Sequence, residues 1–198
     1  MVPDASAADR PPGCPSTPLA TRAQHMDLKS KIRTIEHWPK PGIMFRDVTS
    51  LLQHPDAFRY TCDVFARRYA DWSVDKVIGI DARGFIFSAT LAYALGVGLI
   101  PARKPGKLPA QTIRRDYALE YGHATLELHA DAIRPGERVV IIDDLIATGG
   151  TAAAAAWMVA ELGGEVLECG FVVELPDLGG RTALDGIPVF SLVTFAGD

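Results

Sequence analysis

Beyond Asp75 the chain alternates short aliphatic runs with stretches whose apolar residues recur at helical spacing. The runs at 76–81, 97–102, 138–143, 166–173 and 188–193 are apolar without strict alternation, as strands are when both faces of a parallel sheet are covered. Residues 85–95, closed by Gly96, and the run AAAAAWMVAEL after Gly149-Gly150 read as helices between them. Nearer the N-terminus, Leu28, Ile32 and Ile35 predict a helix. It stops at Trp38-Pro39-Lys40-Pro41-Gly42, because neither proline supplies an amide and each restricts the residue before it. Pro55-Asp56-Ala57-Phe58 opens a further helix, with Phe58, Cys62, Phe65 and Tyr69 every three or four residues. Together these elements predict an α/β fold, an open, mostly parallel sheet flanked by helices.

Two stretches fall outside that alternation. Residues 1–26 hold five prolines and no aromatic residue, so they are expected to form a disordered tail, the alternative being an arm laid on a neighbouring subunit. The folded domain is then 27–198. Residues 103–137 are too many for a plain connection between two strands and are expected to carry function.

A chain of 198 residues and 21.3 kDa is one medium domain. Its 48% apolar and 22% charged residues exclude a wholly disordered, coiled-coil or collagen-like protein. The net charge of -4 argues against a general nucleic-acid binder. Three cysteines and five scattered histidines have neither disulfide-framework nor metal-ligand spacing, so reduced thiols and no structural metal are expected. With no apolar run near the ~20 residues that span a bilayer and no secretion signal at the start, the expectation is a soluble, cytoplasmic protein without a membrane partner.

The chemistry concentrates in VVIIDDLIATGGTAAAAAW, residues 139–157. An aliphatic run drives Asp143 and Asp144 to the carboxyl edge of the sheet, where open parallel sheets leave crevices for ligands. Ala147, Thr148, Gly149, Gly150 and Thr151 then expose backbone amides at a helix N-terminus, an anion cradle. Two adjacent carboxylates beside such a cradle suit sugar hydroxyls or a hydrated divalent ion. Each feature alone also serves an ordinary turn; the ordered combination points to a phosphate and ribose site. There is no GxxxxGK[ST] loop and no GxGxxG after a strand, which leaves ATPases and dinucleotide dehydrogenases unsupported.

Arg83, after the first strand, faces the same crevice, and Arg103, Lys104 and Lys107 lie at the corresponding end of the second. Residues 101–116 carry five basic side chains against Asp116, a local +4 on a negative chain, which suits a strongly anionic small ligand. Arg114 and Arg115 suit a solvated loop equally well. Residues 104–112 have the turn-rich composition of a mobile cover, and 117–122 alternate like a strand. Closure would keep water from an electrophilic sugar centre.

The segments PGIMFRDVT at 41–49, ARGF at 82–85, RKPGKLP at 103–109, YALEYG at 117–122 and VIIDDLIATGGT at 140–151 occur in that order. In them the chain resembles the type I phosphoribosyltransferases, and among these the branch that uses adenine, over about residues 28–196. The resemblance implies that family's fold, with a small hood and a flexible lid loop. It also implies transfer of phosphoribose from 5-phosphoribosyl 1-diphosphate to adenine, assisted by magnesium carried on the substrate, giving AMP and diphosphate for purine salvage.

Carried onto this chain, it implies that residues 147–151 bind the 5-phosphate and that Asp143 and Asp144 engage the ribose hydroxyls. Arg83, Arg103, Lys104 and Lys107 resemble the diphosphate-binding set, part of which crosses between subunits in related homodimers. Phe45 would stack on adenine opposite Leu145, the backbone of residues 44–46, Arg46 included, would read its edge, and Glu120 and Tyr121 would lie in the closing loop. The groups nearest the chemistry are then Arg83, Arg103, Lys107, Glu120, Tyr121 and Asp143. Ser88 and Ala110 stand where that family often has glycine, and Ile146 where it usually has leucine. The alternatives are an enzyme for another purine and a non-catalytic, nucleic-acid-binding regulator that senses the activated sugar.

Overall fold

The computed structural model describes residues 26–119 and 122–197. The expected tail therefore lies outside the described residues except for Met26, which packs half-buried against the core; Glu120 and Tyr121 also lie outside them.

Five parallel strands form the sheet: β3 (Lys76–Ile80), β4 (Gly98–Ala102), β7 (Arg138–Ile146), β8 (Glu165–Glu174) and β9 (Val189–Thr194), in the order β4-β3-β7-β8-β9. Successive side chains of a strand point to opposite faces, and the central strand divides accordingly. Val140 and Ile142 join one core with α2 (Pro55–Tyr69) and α3 (Gly84–Leu95), while Val139 and Ile141 join a second with α4 (Gly150–Glu161). Apolar residues on both faces are why these strands lack alternation. Ser88 is fully buried on α3, its hydroxyl donating to the Phe85 carbonyl at 3.3 Å.

The predicted helix over Leu28, Ile32 and Ile35 is not formed. A 3-10 turn, Lys29–Lys31, leads into β1 (Arg33–Glu36), which pairs antiparallel with β2 (Met44–Asp47) as a small two-stranded hood. The turn buries Leu28 and Ile32 at the expected spacing, but Ile35 is exposed and stands opposite Phe45 across the ladder. A β-branched pair of residues, Thr34-Ile35, next to a partner strand favours that pairing over another helical turn. A short helix α1 (Thr49–Leu52) follows. Residues 103–137, expected to carry function, contain the hairpin of β5 (Thr112–Leu119) and β6 (Gly122–His129), whose Leu126 and Leu128 enter the α4-side core. Ala110 is exposed and keeps an ordinary negative φ, so its position does not require glycine. Among the described residues, no helix is long and apolar enough to cross a membrane.

On the far side of the sheet Arg68 forks onto Glu168 at 2.5 and 2.6 Å, and the Tyr69 hydroxyl donates to the same carboxylate at 2.9 Å. Burial, then the Glu168 charge, keeps the Tyr69 hydroxyl protonated well beyond its ordinary range. Removing one partner of a buried pair costs about 3–5 kcal/mol. Because 32% of the Arg68 side chain stays in water, Glu168→Ala should lose about 3 kcal/mol of unfolding free energy. Urea denaturation at neutral pH measures it, and a loss below about 1 kcal/mol would contradict this account.

Candidate active site at the carboxyl edge of the sheet

β7 continues past the predicted Asp143 to Ile146, because β8 runs alongside as far as Glu174. Asp143 and Asp144 thus stand near the end of a strand whose residues 139–142 are buried. Burial, and next to it the negative charge of Asp144, hold the Asp143 carboxyl well above the usual carboxylate range. Its Oδ1 accepts the Asp144 N–H at 2.8 Å. The N-terminus of α3 comes up against this strand end through Gly84, where a Cβ would lie 2.7 Å from Asp143 Oδ1 and 2.9 Å from the Ile142 carbonyl. That approach delivers Arg83, whose Nε donates to Asp144 Oδ2 at 2.5 Å.

The cradle follows directly. Gly149 takes a left-handed conformation, φ +80°, and begins α4 with no side-chain cap and no acidic residue in the first turn. Its first amides therefore face a cleft rather than a capping oxygen, as anion sites require. The cleft has a volume of about 410 Å³ and gathers Arg83, Lys104, Asp143, Asp144, Leu145 and residues 147–151.

Among the other lining residues, Asp81, Tyr117 and Phe171 were not anticipated as site residues. Asp81 carried a legible signal, since it follows KVIGI just as Asp143 follows RVVII. Tyr117 sits half-buried on β5 at the site's edge.

The remaining predicted residues that the structure describes stand outside the cleft lining. Arg103 donates from Nε to Asp81 Oδ2 at 3.1 Å and from Nη1 to the Lys107 carbonyl at 3.3 Å. The segment is held from the other side by Gly106, whose N–H donates to Glu127 Oε2 at 3.1 Å, and the Lys107 side chain is exposed. Phe45 reaches the site through Arg83, whose guanidinium lies 5.7 Å from its ring centre, and Trp38 packs edge-on against Phe45 at 4.3 Å. The Arg46 side chain is committed elsewhere, donating to Thr34 Oγ1 at 2.7 Å and the Gly197 carbonyl at 3.0 Å, so anything it offers a ligand comes from its backbone. Arg115 lies over the Trp157 ring at 4.5 Å, away from the cleft lining.

Neither described cysteine is an activated nucleophile: burial pushes the Cys169 thiol up to about 12 and raises that of Cys62 as well. Among the described residues no three His, Cys, Asp or Glu side chains gather to hold a metal. The arrangement can bind an anion, accept hydroxyl hydrogen bonds beside it and set a guanidinium over both.

Residues 47–188 match the phosphoribosyl transferase domain family. The chain is 57% identical over 175 residues to the adenine phosphoribosyltransferase of Nitrosospira multiformis, covering 87% of this chain and all of that one. It is 50% identical over 188 residues to the enzyme of Burkholderia orbicola, covering 94% and 97% of the two chains. Its fold is similar to the crystal structure of adenine phosphoribosyltransferase from Thermoanaerobacter pseudethanolicus, with a TM-score of 0.82 and 49% identity over 85% of this chain and 98% of that one. The Saccharomyces cerevisiae enzyme, crystallised with an imino-altritol bisphosphate and adenine, is similar at a TM-score of 0.79 and 40% identity over 84% and 96%.

Proposed function

The chain belongs to the adenine phosphoribosyltransferases of the type I phosphoribosyltransferase family, and we propose how its own residues divide that reaction. As an enzyme of this family it transfers phosphoribose from 5-phosphoribosyl 1-diphosphate to N9 of adenine, giving AMP and diphosphate. The observation that carries the assignment of roles is the Arg83–Asp144 pair, which joins a cation to a hydroxyl acceptor beside an uncapped helix N-terminus in one cleft.

In this reading the amides of residues 147–151 take the 5-phosphate, and Asp143 and Asp144 take the ribose hydroxyls. Arg83 and Lys104 hold the diphosphate, with Arg103 and Lys107 joining when residues 103–111 move onto it. The C1–oxygen bond breaks, positive charge develops on the ribose and negative charge on diphosphate, and fixed cations stabilise that separation more than the ground state. Adenine N9 forms the new bond to C1 from the opposite face and gives up its proton. Phe45 and Leu145 would hold the base between them. Glu120 and Tyr121 belong, in this proposal, to the loop that closes over the site. Family members use the sugar diphosphate with magnesium. With no side-chain cluster among the described residues to hold it alone, a hydrated magnesium would be held mainly by substrate oxygens, its water within reach of cleft carboxylates such as Asp144; such an ion would neutralise charge on the leaving group.

A homodimer completes the proposal. Tyr93 on α3 is 91% exposed and Leu99 on β4 41%, an apolar surface suited to a second copy, while Lys107 points clear of its own cleft. Given adenine and 5-phosphoribosyl 1-diphosphate, the protein should release one diphosphate per AMP and sediment as two chains at assay concentration. Folded protein that forms no AMP would overturn these residue roles, and a fully active monomer would overturn a site shared between subunits.

A further inference from the structure

A buried carboxylate at the carboxyl edge of the sheet takes no part in these steps. Glu174 ends β8 directly opposite Ile146, the residue before the cradle. It accepts a forked pair of bonds from Arg181, Nε at 2.6 Å and Nη2 at 2.7 Å, and a third from Ser191 Oγ at 2.5 Å. The Arg181 fork, then the Ser191 hydroxyl, hold the Glu174 carboxyl below its ordinary range. As a stabilising device alone such a pair gains little, since well-packed apolar groups often serve as well. What it fixes is direction.

The chain between the two partners runs behind the phosphate cradle. Leu175 N–H donates to the Ile146 carbonyl at 3.0 Å, and two 3-10 turns follow, Pro176–Leu178 and Gly180–Leu184. The second turn meets the cradle backbone to backbone. A Cβ on Gly180 would strike the Ala147 carbonyl and lie 2.7 Å from Ile146 Cγ1, and a Cβ on Gly149 would strike the Gly180 carbonyl. Arg181, the next residue, anchors that turn to Glu174 and, through Nη1, to the Val189 carbonyl at 2.8 Å.

We propose that Glu174 and Arg181, completed by Ser191, are positioning residues that hold the Gly180–Leu184 turn against residues 147–149, so that the cradle amides are preset for the 5-phosphate. None of the three lines the cleft. The proposal rests on the assignment of residues 147–151 to that phosphate, and its test separates the two.

Calorimetric titration with AMP and with adenosine compares ligands that share base and sugar and differ only in the phosphate. In the unaltered protein, AMP binding much tighter than adenosine supports the cradle assignment; equal affinities overturn that assignment and the positioning role with it. In Arg181→Met the AMP affinity should fall about tenfold or more while adenosine affinity holds within about twofold. Arg181→Lys, which keeps the charge without the fork, should lie between. Phosphate preference retained by a folded Arg181→Met protein overturns the positioning role and leaves the cradle assignment standing. Equal losses for both ligands do the same, since they mark general disruption. Should Arg181→Met fail to fold, Arg181→Lys and Ser191→Ala are judged by the same ratio.

Discussion

Adenine should be converted with a kcat/KM about 10⁴–10⁵ times that for hypoxanthine. Stacking alone cannot produce this, because in the proposed reading Phe45 and Leu145 would offer an aromatic and an aliphatic face to any purine. Discrimination must come from directed hydrogen bonds, and in the proposed reading the hood would supply them. Among the described residues β2 pairs only with β1 in a two-stranded sheet, so alternate backbone N–H and C=O groups on its other edge have no ladder partner there. In the proposed reading a carbonyl there would accept from the 6-amino group of adenine. Faced with the 6-oxo group of hypoxanthine, the same carbonyl meets another acceptor, and buried polarity is left unpaired. Phe45→Ala should weaken both bases by about 1–3 kcal/mol, the worth of one aromatic stack, without inverting their order. Side-by-side steady-state assays of the two purines measure both effects. Comparable efficiencies would remove the assigned hydrogen-bond reading while leaving membership of the phosphoribosyltransferases intact.

How much of this was legible in the chain depended on whether a signal was local. The run RVVIIDD ends in charge, and a strand that plunges through a core must bring that charge to its edge; Asp143, Asp144 and the cradle after them followed from that. The same logic, applied to KVIGID and to FVVEL, would have reached Asp81 and Glu174. The hood was misread because helical spacing at Leu28, Ile32 and Ile35 is also met by a 3-10 turn followed by a strand, and the deciding contact is with Phe45, beyond a proline turn. The β5–β6 hairpin was half legible: 117–122 alternated visibly, but Leu126 and Leu128, which commit it to the core, lie beyond that stretch. Residue type could not foretell which arginines are spent on the protein itself. Arg46 turns to Thr34 and the C-terminal backbone, and Arg115 to Trp157, while Arg83 remains at the cleft.

Arg83→Ala should lower kcat by about 10²–10³, the usual effect of removing one preset donor from a developing negative charge. The same guanidinium acts on Asp143, and this gives the variant a second signature. Burial and the Asp144 charge raise the Asp143 pKa, while the positive charge of Arg83 lowers it. Without Arg83 the pKa climbs further, so ionised Asp143 forms only at higher pH. Asp144→Asn removes the neighbouring negative charge instead, and the pKa falls. If a carboxylate at Asp143 is needed for the ribose hydroxyls, the acidic limb of kcat/KM, which reports groups of the free enzyme, must move up in Arg83→Ala and down in Asp144→Asn. Opposite movement from two residues bonded to each other cannot come from general loosening of the site, which would move both limbs one way or neither. Asp143→Asn supplies the control, since it should lose turnover and the limb together. Limbs that stay in place in both variants would show that ionisation of Asp143 does not gate the reaction, and an Arg83→Ala enzyme with unaltered kcat would remove that arginine from the leaving group.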